Sequence, residues 1–340
     1  MLNFKNDYCN LCHPKVFEYL QKYQNETFVG YGTDEISQRA KDLIKDTFKL
    51  ENADIHFLIG GTSTNKIMIA HALKPYEAVI AATSGHINVH ETGAIEETGH
   101  KVLTIPEYMG KIKAEDIEKI YLSHTDEHMV KPKMVYISNS TEYGTVYTYN
   151  ELKAIKDVCD KLNLYLYMDG ARLGVALTSK FTDLKKEDLK DLVDAFYIGG
   201  TKNGAMIGEA LVILNDELKK ELRYSIKHYG GMLAKGFLIG LEYIALFEND
   251  LYFNIAKKQN ELSEHLVNKL KEINVEFLMN TESNQNFITL KNDTIEKIKD
   301  KIYFEIWESN NLNTTIRLVT HYMLTIDDIN KVVEVVKEAI

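Results

Sequence analysis

Three short stretches carry residue types that could do chemistry together. "FYIGGTKNG" sets Lys202 just past an apolar run, bounded by Gly199, Gly200 and Gly204. A lysine held in such a turn is poorly solvated, so its pKa should fall and leave more free amine to attack a carbonyl. "YMDGARL" sets Asp169 at the end of another apolar run, with Arg172 three residues on. That carboxylate could cap the following turn, or it could pair with a protonated ring nitrogen. "IGGTSTN" joins an apolar run to a helical one at Gly60 and Gly61. Its backbone N–H groups, with the hydroxyls of Thr62, Ser63 and Thr64, suit either a phosphate or an ordinary helix cap. The stretch has neither the GxxxxGK[ST] nor the GxGxxG spacing, so it is not a P-loop or a dinucleotide fingerprint.

Together the three are more specific than any one. A phosphate cradle, an aspartate for a ring nitrogen and a lysine that can condense with an aldehyde are what pyridoxal 5'-phosphate requires.

A fourth motif points elsewhere. "CNLCH" (Cys9–His13) has the spacing of covalent haem attachment. Haem attachment normally needs export, and "MLNFKNDYCN" has no basic stretch followed by an apolar one. A zinc site needs four ligands, and the only other cysteine, Cys159, lies in a different kind of segment. A redox pair usually opens a helix after a strand. Pro14 does open one, "PKVFEYLQKY", but no strand precedes it. The pair therefore reads as a coincidence at a helix start, and no metal is expected.

The elements that must position these residues alternate between short strands and helices. Apolar runs at "DIHFLI", "AVIAA", "KVLTI", "KMVYIS", "LYLYM", "DAFYI" and "EALVIL" predict seven strands. Helical stretches fall between them: "TSTNKIMIAHAL" with a Thr or Ser cap, "INVHETGAIEETG", one from about Lys113, and "NELKAIKDVCDKLN". Continuous apolar strands between helices predict a mostly parallel α/β sheet buried on both faces. Ligands of such sheets sit beyond the carboxyl ends of the strands, where Gly61, Asp169 and Lys202 fall. Helices then follow at Asp216–Tyr229, Met232–Phe247 and Leu251–Ile273. Strand-like "VEFLM", "NFITL" and "TTIRLVT" and the closing helix "TIDDINKVVEVVKEAI" complete a smaller α+β domain. The expected division is 1–245 and 246–340.

The 340 residues are 45% hydrophobic and 26% charged, with a net charge of −10 and scattered Lys and Arg. That distribution disfavours nucleic acid, whose phosphates demand a basic surface. No apolar run reaches the length of a membrane helix. Without an export signal, a cytoplasmic location is expected.

The chain resembles the fold type I pyridoxal phosphate enzymes of the β-eliminating lyase superfamily, and within them the low-specificity threonine aldolases. "GYGTDE", "FLIGGTSTN", "SGHINVHETGA", "MDGARL", "GGTKNG" and "IRLVTH" carry the likeness, which runs from "KNDYCNLCHPKV" onward. The resemblance implies cleavage of L-threonine or L-allo-threonine to glycine and an aldehyde. It implies that Lys202 and His86 are catalytic, with His86 stacked on the cofactor ring. Gly61, Thr62, Ser63, Asp169 and Arg172 would hold the cofactor. Arg172 and Arg317 would grip the substrate carboxylate, and Tyr31 would reach a neighbouring subunit's site in a dimer of dimers. Asn6 stands where relatives have a substrate-contacting serine, and its amide can still donate a hydrogen bond. Some relatives carry a histidine in the loop after the middle strand; here that loop reads "SNSTEYGTVY", with Thr141 and Glu142. β-Elimination on another amino acid, or cofactor binding without turnover, are the alternatives.

Overall fold

A computed structural model describes residues 1–340. Seven strands form the central sheet: β2 (Asp54–Leu58), β3 (Glu77–Ala82), β4 (Val102–Ile105), β5 (Lys131–Ser138), β6 (Tyr165–Asp169), β7 (Ala195–Gly199) and β8 (Glu209–Ile213). Their spatial order is β2-β8-β7-β6-β5-β3-β4. Only β8 runs against its neighbours, pairing antiparallel with both β7 and β2. Every residue of β3, β7 and β8 is buried. Helices cover both faces, which is why these strands read as unbroken apolar runs.

In chain order the helices are α1 (Pro14–Lys22), α2 (Glu35–Phe48), α3 (Gly61–Ala72), α4 (His86–Val89), α5 (Ala114–Leu122), α6 (Tyr149–Leu162), α7 (Leu173–Leu177) and α8 (Leu189–Leu192). They continue with α9 (Asp216–Lys219), α10 (Leu222–His228), α11 (Phe237–Phe247), α12 (Leu251–Glu272), α13 (Asn292–Ile298) and α14 (Ile326–Ala339). Reciprocal capping boxes start α6 (Thr148 with Glu151) and α14 (Thr325 with Asp328), fixing where each begins.

The smaller lobe is an antiparallel sheet in the order β12-β13-β10-β9, from Glu305–Ser309, Asn313–Val319, Gln285–Lys291 and Glu276–Phe277. Its core joins Leu262, Leu266 and Leu270 of α12 to Ile288, Ile316 and Val332. The N-terminal strand β1 (Leu2–Asn3) pairs in parallel with β11 (Ile302–Tyr303), and Phe4 is buried in the same core. The first residues thus pack with the C-terminal lobe, not with the 1–245 unit in which they fall by sequence.

Four local expectations differ from the structure. α3 is capped by Gly60, with no side-chain cap, instead of Thr or Ser. The "INVHETGAIEETG" stretch is helical only over α4 and a short 3-10 turn at Glu96–Thr98, because Thr92 and Gly93 take positive φ between them. The helix expected over Asp216–Tyr229 is split at Glu221, at φ 57°, although its periodicity runs through unbroken. The helix expected from Met232 begins at Phe237, because Ala234 O instead accepts the Tyr31 N–H at 2.9 Å. The strands β1 and β11 escaped prediction because each is only two residues long, and β12 because it is largely exposed at an edge.

Candidate active site

Asp169 ends β6 inside the protein, and four donors converge on its carboxylate. Oδ1 accepts from Tyr197 Oη at 2.5 Å and from the Ala171 N–H at 3.0 Å. Oδ2 accepts from Tyr136 Oη at 2.6 Å and from Asn65 Nδ2 at 3.0 Å. Burial alone would push this carboxyl up. The nearby His86 and the Tyr136, Tyr197 and Asn65 bonds outweigh burial together and hold it below its usual range. It is therefore a fixed negative charge at neutral pH.

Lys202 follows β7 and is only partly accessible. Burial first, and then the Arg172 guanidinium, lower its amine to about 8, against the opposing pull of Asp7, Asp169 and Glu209. Glu209, at the start of β8, lies under the same loop. It accepts the Gly200 N–H at 2.8 Å and the Thr201 hydroxyl at 2.9 Å, and burial raises it to about 7. The turns carrying Asp169 and Lys202 cross closely. Gly199 N donates to Gly170 O at 2.9 Å, a Cβ on Gly170 would stand 1.9 Å from Tyr197 O, and one on Gly199 would stand 2.2 Å from Ala171 O. Only glycine fits at either position.

The start of α3 supplies the cradle. Gly61, Thr62 and Ser63 form its uncapped first turn, and a Cβ on Gly60 would meet nothing within 4 Å. The first N–H groups of this twelve-residue helix therefore have no side-chain acceptor from its cap residue.

His86 opens α4 after β3. Its Nδ1 lies 2.8 Å from Glu91 Oε1, which also accepts Asn65 Nδ2 at 2.8 Å, so the imidazole belongs to the Asp169 network. The His86 N–H is bonded to Glu142 Oε1 at 3.0 Å, and the Ser138 hydroxyl donates to the same oxygen at 2.7 Å. Burial raises the Glu142 carboxyl.

Arg172 is not free. Nε and Nη2 bond Asp7 at 2.7 and 3.0 Å, and Asn284 Nδ2 adds 3.0 Å to the same carboxylate. The fork is thus partly engaged before any substrate arrives. Arg317, on β13, is the freer cation. Nη1 donates to Gln285 Oε1 at 3.2 Å, the guanidinium lies over Trp307 at 5.6 Å, and the buried Nε has no partner. Burial and the neighbouring Arg172 lower its pKa.

Asn6 is half-buried, with Oδ1 accepting the Tyr8 N–H at 3.2 Å, which leaves its amide nitrogen to donate. Tyr31 lies elsewhere. It is 47% exposed, its carbonyl accepts from Arg223 at 3.3 Å, and Lys227 sits over its ring at 4.8 Å. It belongs to the outer surface, not to the cluster around Lys202. In "CNLCH", Cys9 and Cys12 are not disulfide-bonded, and His13 caps α1 by accepting the Lys15 N–H at 3.2 Å. No three His, Cys, Asp or Glu side chains gather as metal ligands.

Sequence reasoning missed Asp7, Asn65, Tyr136, Tyr197 and Glu209. Asp7 stands beside Asn6, within a stretch already singled out. The two tyrosines read as ordinary strand residues.

The donor set fits pyridoxal phosphate: an uncapped helix start for a dianion, an ionised buried carboxylate for a ring nitrogen, and a lowered lysine amine for an aldehyde. A sheet of this topology, with its chemistry beyond the carboxyl strand ends, is the architecture of fold type I pyridoxal phosphate enzymes. The β-eliminating lyase family model matches residues 20–293. The solved threonine aldolase of Leishmania major superimposes with a TM-score of 0.98, at 41% identity over 99% of each chain. The low specificity L-threonine aldolase of Pseudomonas sp. is 29% identical over 87% of this chain and 86% of its own. Cystalysin from Treponema denticola, 18% identical with a TM-score of 0.73 over 96% of this chain and 88% of its own, shares the fold. The chain belongs to the β-eliminating lyase family.

Proposed function

We propose that the protein is a pyridoxal phosphate-dependent aldolase that cleaves L-threonine and L-allo-threonine to glycine and acetaldehyde. What supports this activity is the pairing of Lys202 with the ionised Asp169 in a chain 41% identical, over its whole length, to a threonine aldolase.

Bound there, the cofactor supplies an aldehyde for the lysine and an electron sink for the bond broken at the substrate's α-carbon. The α3 N-terminus, with Thr62 and Ser63, holds the phosphate. Asp169, fixed as an anion by its four donors, would hold a proton on the ring nitrogen. His86, oriented by Glu91, would stack on the ring. Lys202 presents an amine that is neutral in useful proportion near pH 8. Arg317 takes the substrate carboxylate, satisfying its lone Nε; Arg172 contributes its remaining edge, and Asn6 a further donor. Together these contacts would orient the substrate's α-carbon so that its Cα–Cβ bond is the one presented for cleavage.

Tyr31, with Lys227 over its ring, completes the site of a neighbouring copy in a dimer of dimers. No helix is long and apolar enough to cross a membrane, and we place the protein in the cytoplasm. The test is an assay of purified protein, with and without pyridoxal phosphate, on both threonine diastereomers. Stoichiometric glycine supports the aldolase; pyruvate or 2-oxobutyrate with ammonia would replace it with β-elimination.

A further inference from the structure

Cleaving a β-hydroxy amino acid requires a group that takes the hydroxyl proton. Two imidazoles stand at the end of β3: His86 and His90, ring centroids 5.5 Å apart and inclined by 51°. Their surroundings differ. His86 is tied through Nδ1 to Glu91, and through Glu91 and Asn65 to Asp169. That chain ties the His86 ring into the Asp169 network. The His90 N–H closes the α4 turn on His86 O at 2.8 Å, but neither ring nitrogen bonds a protein group, and the side chain is exposed. The charges that act on it are His86, Arg317 of β13, Glu305 of β12 and Lys202 of the loop after β7. Its ring thus stands free beside His86, within electrostatic reach of both Arg317 and Lys202.

We infer that His90, not His86, meets the substrate's β-hydroxyl and accepts its proton; this rests on the aldolase reading. The O–H electron pair becomes the second bond of the aldehyde carbonyl. The Cα–Cβ pair stays with the α-carbon and is delocalised into the bound cofactor. The imidazolium releases its proton to solvent once the aldehyde has left, and an equivalent proton enters at the α-carbon to give glycine. The electrostatics agree. Partial desolvation of this otherwise exposed ring, then His86 and Arg317, with Lys202 adding to them against Glu305, lower the His90 pKa and keep a lone pair available at neutral pH.

The test uses holoenzyme and two variants, His90→Phe and His90→Gln, each first shown to retain the cofactor's absorbance. Three readouts are taken: threonine cleavage, exchange of the glycine α-proton in heavy water, and the ratio of dissociation constants for 2-aminobutyrate and threonine. His90→Phe should lower kcat for cleavage by about 10²–10³-fold, the size of a general-base contribution. Glycine exchange, which needs no hydroxyl base, should stay within about 2-fold, and the preference for threonine over 2-aminobutyrate should fall about 2- to 10-fold, one net hydrogen bond. In the cofactor-free protein the His90 ring should titrate below an ordinary histidine by NMR. Unchanged cleavage, or equal loss of cleavage and exchange, would overturn the inference. Wild-type protein that exchanges the glycine α-proton yet releases no glycine from threonine would instead sink the aldolase reading. The His90 contact is then decided by binding alone: it stands if the variants lose the threonine preference and falls if they keep it.

Discussion

Asp7 and Arg172 are locked together although 165 positions separate them: Oδ2 meets Nε at 2.7 Å and Oδ1 meets Nη2 at 3.0 Å, with the Asp7 side chain wholly enclosed. This pair pins the N-terminal segment over the loop that follows Asp169. Removing one partner leaves a buried charge uncompensated, which costs about 3–5 kcal/mol. Asp7→Ala should therefore lower the urea midpoint markedly, and Arg172→Met should do the same. The double variant should lose clearly less than the sum of the two. An additive double variant, measured by urea unfolding, would mean that the pair does not hold this segment.

The lysine makes a pH prediction. Lys202 titrates at about 8; below that pH its amine is protonated and inert, above it neutral and reactive. Cofactor-free protein should therefore combine with pyridoxal phosphate with a half-maximal rate near pH 8, not near the ~10.4 of an exposed lysine. Glu209 favours the protonated amine, so Glu209→Gln should move that midpoint to lower pH. Borohydride trapping at each pH, followed by peptide mass mapping, reads both results. Label appearing on any lysine other than 202 would remove the basis of the proposed function.

Arg317 carries a buried Nε without a partner, and a substrate carboxylate would satisfy it. A charge-assisted hydrogen bond contributes about 1.5–3 kcal/mol. Arg317→Gln should therefore raise KM for threonine by roughly 10- to 100-fold with a smaller change in kcat. Arg317→Lys should rescue little, because a point charge cannot present the planar fork. Steady-state kinetics on the three proteins decide it, and an unaltered KM in the glutamine variant would assign the carboxylate elsewhere.

The strands were legible because each is buried on both faces and so is continuously apolar. Lys202 and Asp169 were legible because they follow those strands directly. What escaped notice was set by tertiary contact. Asp7 looks like any polar residue near a terminus until the fold brings Arg172 to it. Tyr136 and Tyr197 look like strand filling until their hydroxyls are seen to converge on one carboxylate. Arg172 was expected to be free for substrate, and no spacing in the sequence could reveal that it is half-engaged. The break at Glu221 likewise leaves no mark on the helical periodicity around it.

Two glycines that look alike in the sequence should behave in opposite ways. A Cβ on Gly199 would lie 2.2 Å from Ala171 O, a backbone atom that cannot swing aside. Gly199→Ala should therefore cost about 1–3 kcal/mol through forced backbone shifts. It should also disturb the crossing that sets Lys202 against Asp169, so activity should fall with stability. Gly60 has an extended backbone, at φ 172°, and space for a Cβ. Gly60→Ala should leave the melting temperature nearly unchanged, because any residue adopts that conformation. Its methyl group would project toward the uncapped α3 turn, so what should weaken is cofactor affinity, followed by absorbance titration of the cofactor-free variant. A Gly60 variant that binds pyridoxal phosphate as tightly as the parent would place the phosphate away from the first turn of α3.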